Sequence, residues 1–524
     1  MKRLPIYPFL FILYVILTPL SVNLDQLDPA QALRPAIALF LLAAAGMLLF
    51  YALTRDWQYA AYLVFLVLLF FFSFGHLVRF SLEKVPLLYE LLYQELFLVA
   101  WALLLVLLCT KPVWLRLRRL AWLTPFLNLL FLAALAAPLY TILSQELPVR
   151  AAGKPVASPP RPVSEESSLD CSKSPDIYYI ILDGYARSDV LAERFGLDNQ
   201  PFLDDLEEKG FFVAGESHSN YMQTIYSISS SLNFSFIDPP GGSQRDAVYF
   251  KDLIAHNALL EKLRACGYRF VINESGFYHT DDLAPDVVLS PWSTLTGFEG
   301  LLLSGSPYEV VGFYLNLDAP PQSYAAHRKR VTDTFTALQE AYRLPGPKLV
   351  YAHIISPHPP FVFGEAGWVI QPAYPYSMND GDDYKGTLEE YLGGYPGQVR
   401  FVNRQVQQVV DSLLANSETP PVIILQADHG PGSGLDWSSP YNTCLWERTS
   451  ILNAYFLPGI DPAVLYPAIT PVNTFRVVLN EYFGTDLHLL PDENTYFTSH
   501  RMPRQVIDIS DRRNSRDNCE LPVR

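Results

Sequence analysis

Five apolar runs crowd into the first 150 residues of this 524-residue chain, and nothing else in it constrains the architecture as tightly. They occupy residues 6–22, 35–53, 59–78, 91–109 and 120–143. A helix needs about 20 apolar residues to cross the hydrocarbon of a bilayer, so each run is long enough, or nearly so, to span. The first resembles a secretion signal. No small-residue cleavage pattern follows Pro19, however, and four further runs come after it. It therefore reads as a retained helix.

The short connections between runs set the expected orientation. Lys2, Arg3, Arg55, Lys111, Arg116, Arg118 and Arg119 fall on one set of loops, and Arg34, Arg79 and Lys84 on the other. Seven cations against three is a positive-inside bias. It predicts a multi-pass protein of the plasma (inner) membrane with a cytoplasmic N-terminus. An odd number of spans then exports everything after residue 143. Trp57, Trp114 and Trp122 sit near span ends, where amphipathic rings prefer to lie.

Charge divides the chain at the same place. Residues 1–150 hold 11 Lys/Arg and 7 Asp/Glu, leaving 27 against 46 for the remainder. A soluble part that acidic repels polyanions, which argues against a nucleic-acid partner. Residues 148–175 are rich in proline, serine and charge without apolar period, and read as an extended tether. The expected domains are thus a five-helix membrane domain over 1–147, a linker over 148–175 and an extracytoplasmic catalytic domain over 176–524. Cys171, Cys266, Cys444 and Cys519 lie in the exported part. They allow two disulfides in three pairings, or free buried thiols.

Beyond the linker, residues 176–182, 268–272, 348–355 and 421–426 are continuous apolar, β-branched runs of the kind that fill a sheet buried on both faces. Helical patterns at 201–209, 257–266, 326–342 and 399–414 alternate with them. The fold class predicted is an α/β sandwich with a largely parallel central sheet. Active sites of such sheets gather at the carboxyl ends of the strands. There this chain places Asp183-Gly184, then Ser356-Pro357-His358-Pro359-Pro360-Phe361, then Asp428-His429-Gly430. Carboxylate oxygens and imidazole nitrogens are ligands for a divalent cation, which withdraws charge from a phosphoryl oxygen or activates a hydroxyl. Thr224 begins a helical pattern, where free N–H groups hold an anionic substrate and a metal-contacted hydroxyl becomes a nucleophile. A plain helix cap is the competing role for Thr224.

In this order the strand ending in Asp183-Gly184, the hydroxyl-bearing helix start, Pro357-His358-Pro359-Pro360-Phe361 and Asp428-His429-Gly430 resemble the alkaline phosphatase/sulfatase superfamily. The preceding spans resemble its membrane branch, the lipoteichoic acid synthases and lipid A phosphoethanolamine transferases. The resemblance implies an alkaline phosphatase-like fold and metal ligation by Asp183, Thr224, Asp428 and His429. It makes Thr224 the nucleophile and His358 the group that contacts substrate or protonates the leaving group. The implied reaction passes a phosphoryl group through a covalent phospho-threonine to a sugar, glycerol or water. No C/S-x-P-x-R formylglycine motif is present, which argues against sulfate-ester cleavage. A single acid at Asp183 and the missing PDxxGHxxGP stretch favour one divalent ion, Mn²⁺, Zn²⁺ or Mg²⁺, over a larger cage. Lipoteichoic acid synthases have Glu where this chain has Asp183, so that specific activity is not supported.

Weaker candidates for substrate contact are Asn220, Arg187 and His353, with His218 and Arg448 behind them. Residues 393–397, Gly-Gly-Tyr-Pro-Gly, read as loop punctuation. The leading expectation is a phosphotransferase or phosphodiesterase acting on a cell-envelope lipid or glycan. A phosphate or sulfate ester hydrolase, and a degenerate glycan-binding domain without turnover, are the alternatives.

Overall fold

The computed structural model describes residues 4–23, 29–84, 94–120, 122–151, 169–237, 245–281, 283–289, 295–304, 306–315, 323–374, 376–498 and 505–520. Two compact units emerge: residues 1–155 with 293–326, and residues 156–292 with 327–524.

The first unit is helical. Among the described residues three helices are long and apolar enough to cross a membrane: Pro29–Thr54, Trp57–Val78 and Leu123–Ser144. Leu96–Leu108 and Lys111–Leu117, bent by 61°, make a fourth if taken together. The first expected span is the shorter apolar helix Tyr7–Val22. A helix of that length rises about 24 Å, short of a bilayer core of about 30 Å. The start of the run at 91–109 lies outside the described residues. Phe11, Ile12, Ile16, Val64, Phe65 and Phe131 pack inside this unit. Leu33, Leu41, Leu42 and Leu48 point outward, each at least 60% exposed. Aliphatic side chains on the outside of helices are costly in water and at ease in lipid.

The expected tether is helical as far as Ala151, lies outside the described residues over 152–168, and ends in a 3-10 turn at Cys171–Lys173.

The second unit is built on a seven-stranded sheet. Its strands are β1 (Ile177–Leu182), β2 (Phe212–Val213), β3 (Arg269–Ile272), β4 (Val287–Val288), β5 (Lys348–Ile354), β6 (Val422–Gln426) and β7 (Asn453–Phe456), in the order β2-β7-β6-β1-β5-β3-β4. The pairs among β6, β1, β5, β3 and β4 are parallel, and β7 alone runs against them, pairing antiparallel with both β6 and β2. Every residue of β1, β5 and β6 is buried, which is why these strands read as unbroken apolar runs. The short β2 and β4 and the antiparallel β7 left no such run.

Central β1 pairs Leu182 with Ile354 of β5 and Ile181 with Gln426 of β6. That register brings three carboxyl ends side by side.

One expectation is corrected here. The Gly-Gly-Tyr-Pro-Gly stretch is not a loop but the interior of a helix, Leu388–Asn416, opened by a Thr387/Glu390 capping box. Tyr391 and Tyr395 bury one face of it. A Cβ at Gly394 would lie 2.7 Å from the Phe361 ring. The small residue therefore lets the loop after β5 press against the helix. Two disulfides, Cys171–Cys266 and Cys444–Cys519, select one of the three pairings. Cys109 is free.

Candidate active site

Asp183 follows β1 directly, and its amide donates to Ile354 O at 3.0 Å. Gly184 continues the turn, donating to Asp428 Oδ1 at 3.2 Å. Tyr395, from the long helix, closes it: its hydroxyl donates to Gly184 O (2.7 Å) and accepts from Ala186 N (2.9 Å). The loop after β5 is clamped by Gln398 of the same helix. Gln398 Oε1 accepts from Val362 N at 2.8 Å, and its amide donates to His358 O at 3.0 Å. One helix thus holds both the Asp183 turn and the His358 loop.

Asp183, Asp428 and His429 converge, with one ligand atom from each within 4.8 Å of the others. His429 Nδ1 faces the Gly430 carbonyl at 2.9 Å. A carbonyl only accepts, so Nδ1 carries the proton and a neutral ring presents its lone pair at Nε2. That atom lies 3.3 Å from Asp428 Oδ2 and 3.6 Å from Asp183 Oδ1. Both of those carboxylate oxygens are buried with no hydrogen-bond partner among the described residues. These three electron-pair donors face one another with no donor hydrogen between them and repel, and a divalent cation of the Zn²⁺, Mn²⁺ or Mg²⁺ type reverses the sign. The donor set therefore fits a metal.

The remaining hydrogen bonds orient these ligands. Asp428 Oδ1 accepts from His429 N at 3.0 Å. Ser227 Oγ donates to Asp428 O at 2.6 Å. Asp183 Oδ2 pairs with His353 Nε2 at 3.1 Å, and His353 Nδ1 meets Thr280 Oγ1 at 3.0 Å. Burial alone would push the Asp183 carboxyl up, but the imidazoles of His358, His353 and His429 hold it well below the usual carboxylate range. Burial, and then the Arg448 guanidinium, push His429 down.

Thr224 is the first residue of the helix Thr224–Asn233, whose N-cap is Gln223 with no side-chain capping bond. Its hydroxyl is not spent on capping. Thr224 Oγ1 stands 3.2 Å from His429 Nε2.

His358 turns Nδ1 to Pro359 O at 2.7 Å, which leaves Nε2 free on the other side, 3.9 Å from Asp380 Oδ2. The weaker candidates are placed differently. Asn220 spends its amide on Thr470 Oγ1 and Glu493 O and its oxygen on Val472 N, so it ties loops together. Arg187 has its fork on Asp189, with Nη1 on Ser217 O and His218 Nε2. His353 orients Asp183.

Three groups that sequence reasoning left weak or missed lie around these ligands. The fully buried Arg448 donates to Met222 O (3.0 and 2.7 Å), Gly430 O (2.9 Å) and Asp380 Oδ2 (2.8 Å). It bridges the backbone just before Thr224 and just after His429. A Cβ at Gly430 would run into the Glu447 carbonyl, so that approach requires the glycine. Asp380 sits in a loop without periodicity, and no local signal marks it. His327 was also unmarked: it is buried with neither ring nitrogen hydrogen-bonded among the described residues, and His358 and Asp183 are among the charges it feels.

Beside the cluster, burial raises the Glu447 carboxyl from 4.5 to about 7, against the pull of Arg194. A carboxyl raised on folding binds its proton more tightly in the folded state. Its stabilising contribution is complete below pH 4.5 and is lost as pH rises through about 7. The melting temperature of Glu447→Gln is therefore expected to fall less than wild type's between those limits. Parallel profiles from thermal scans would refute the assignment.

A family model described as Sulfatase matches residues 175–503. No curated protein matches the chain. Among solved structures, the chain is similar to the C-terminal periplasmic domain of EcEptC from Escherichia coli in complex with Zn. Identity there is 14%, coverage 67% of this chain and 97% of that one, and the TM-score 0.41. Also similar is the integral membrane protein lipooligosaccharide phosphoethanolamine transferase A from Neisseria meningitidis, at 14% identity, 91% and 94% coverage and a TM-score of 0.41. A third is the lipoteichoic acid synthase LtaP from Listeria monocytogenes, at 13%, 60% and 74%, and 0.36.

Proposed function

This chain belongs to the sulfatase family, and we propose that it is a membrane-anchored enzyme that transfers or hydrolyses phosphoryl-linked groups of cell-envelope lipids or glycans, with Thr224 as nucleophile. One divalent cation would be held by Asp183, Asp428, His429 and Thr224. The observation that carries the reading is the pair of orphaned oxygens, Asp183 Oδ1 and Asp428 Oδ2, facing His429 Nε2 beside the Thr224 hydroxyl.

The bound cation supplies positive charge that draws electrons from a phosphoryl oxygen and acidifies a nearby hydroxyl. The N–H groups opening the helix Thr224–Asn233 hold the other phosphoryl oxygens. Thr224 Oγ1 forms a P–O bond and gives its proton to solvent, while the donor's P–O bond breaks. The departing oxygen takes a proton from His358 Nε2. In the second half, His358 takes a proton from the acceptor hydroxyl or water as that oxygen attacks phosphorus; the P–O bond to Thr224 breaks and Thr224 Oγ1 regains a proton from solvent. A phosphoryl rather than a sulfuryl substrate is supported by the missing formylglycine motif.

We place the α/β unit outside the cytoplasm on five spans. Seven cations against three on alternate loops support that orientation. Two disulfides suit an oxidising compartment. Arg34, on the loop expected outside, pairs with Glu299, from a segment inserted within the sequence of the exported half.

Full-length protein in detergent is expected to cleave bis(p-nitrophenyl) phosphate with added Mn²⁺ or Zn²⁺ and to lose that activity in chelator. A metal-replete preparation with no phosphodiesterase activity, and lipid extracts identical in cells with and without the protein, would leave the non-catalytic alternative standing.

A further inference from the structure

Residues 293–326 depart from the α/β unit in mid-sequence and group with the apolar helices. The helix Gly297–Ser304 buries Phe298 and Leu302 in a core shared with Tyr7, Phe11 and Phe65. Glu299 and Arg34 form a two-point ion pair, and Phe298 N donates to Gln31 Oε1 at 3.3 Å. A carboxylate paired in this way is less costly to bring near hydrocarbon than a free one. The next helix, Tyr308–Leu315, reads YEVVGFYL and carries a single charged residue, Glu309. It leaves Val311 39% and Leu315 63% exposed. The helix that begins beside Arg34 is apolar on its outer side too, with Leu33 64% and Ile37 52% exposed. Apolar side chains left in water are penalised by roughly 25 cal/mol per Å², and an interfacial helix settles that by laying its apolar side among lipid chains.

We propose that Gly297–Ser304 and Tyr308–Leu315 lie in the outer interfacial layer of the membrane, with phospholipid as their partner. Arg34 and Glu299 fix the depth, since an ion pair resists sinking below the headgroups. The proposal rests on the membrane-enzyme reading above. It goes further in giving this excursion a lipid-contacting role of its own.

Full-length protein in nanodiscs of phosphatidylcholine and phosphatidylglycerol tests it. Cys109→Ala removes the free thiol, since the other four cysteines are paired. A fluorophore is then attached at Leu315→Cys or, as a control on the exposed surface of the α/β unit, at Glu418→Cys. A nitroxide lipid labelled near the headgroup is expected to quench position 315 several-fold more than position 418. Equal quenching overturns the proposal. Were the catalytic reading to fail, the quenching contrast would still decide where the helices lie.

Discussion

Thr224→Ala is expected to lower phosphodiester turnover about a thousandfold or more, the scale on which removal of a covalent nucleophile is felt. The residue makes no capping bond, and its hydroxyl faces His429 Nε2 at 3.2 Å, so its loss removes chemistry rather than helix stability. The melting temperature of the variant is accordingly expected to match wild type's closely. Thr224→Ser, which keeps the oxygen, is expected to retain part of the activity. Acid quenching of wild type during turnover should leave a phosphoryl mass increment on the peptide containing Thr224. Wild-type rates in Thr224→Ala, or no increment under turnover, would exclude the covalent route.

Asp428→Asn separates metal binding from folding, because its two effects have opposite signs. Asp428 Oδ1 already accepts from Gly184 N and His429 N, while Oδ2 is orphaned opposite Asp183 Oδ1 and His429 Nε2. An amide keeps the accepting oxygen and puts N–H donors where the second carboxylate oxygen was. In chelator the variant should therefore melt higher than wild type, by the equivalent of about 1–3 kcal/mol for relieving one unsatisfied buried group. With metal the order should reverse. A cation at a thousand times its dissociation constant stabilises the native state by about 4 kcal/mol, and the variant forgoes that. Metal content by mass spectrometry together with paired thermal scans reads both effects. Wild-type metal retention in Asp428→Asn would remove that carboxylate from the ligand set.

How much of this was legible beforehand depended on the range of the interaction that decided it. Asp183 and the Asp428-His429 pair stood out because β1 and β6 are buried on both faces and so leave unbroken apolar runs with abrupt polar ends. Thr224 was legible as a hydroxyl opening a helical pattern, and the membrane helices as long stretches without charge. The helix through residues 393–397 was misread because glycine and proline are local signals. The packing of Tyr391, Tyr395 and Gly394 against the loop after β5 outweighed them. Asn220 and Arg187 have residue types suited to substrate contact, but their partners, Thr470, Val472 and Glu493 for one and Asp189 for the other, absorb them.

The amino-acid order by itself determined which segments are apolar on both faces, which are apolar enough for lipid, and which reactive groups stand at their ends. Those properties belong to single elements and are written in consecutive residues. Only the tertiary structure decided that Arg448 would reach back 226 residues to Met222, or that Glu299 would pair with Arg34, 265 residues before it. It also decided that two carboxylate oxygens would be left facing an imidazole lone pair. Contacts of that kind are selected by the burial and charge balance of the whole assembly, and no local periodicity records them.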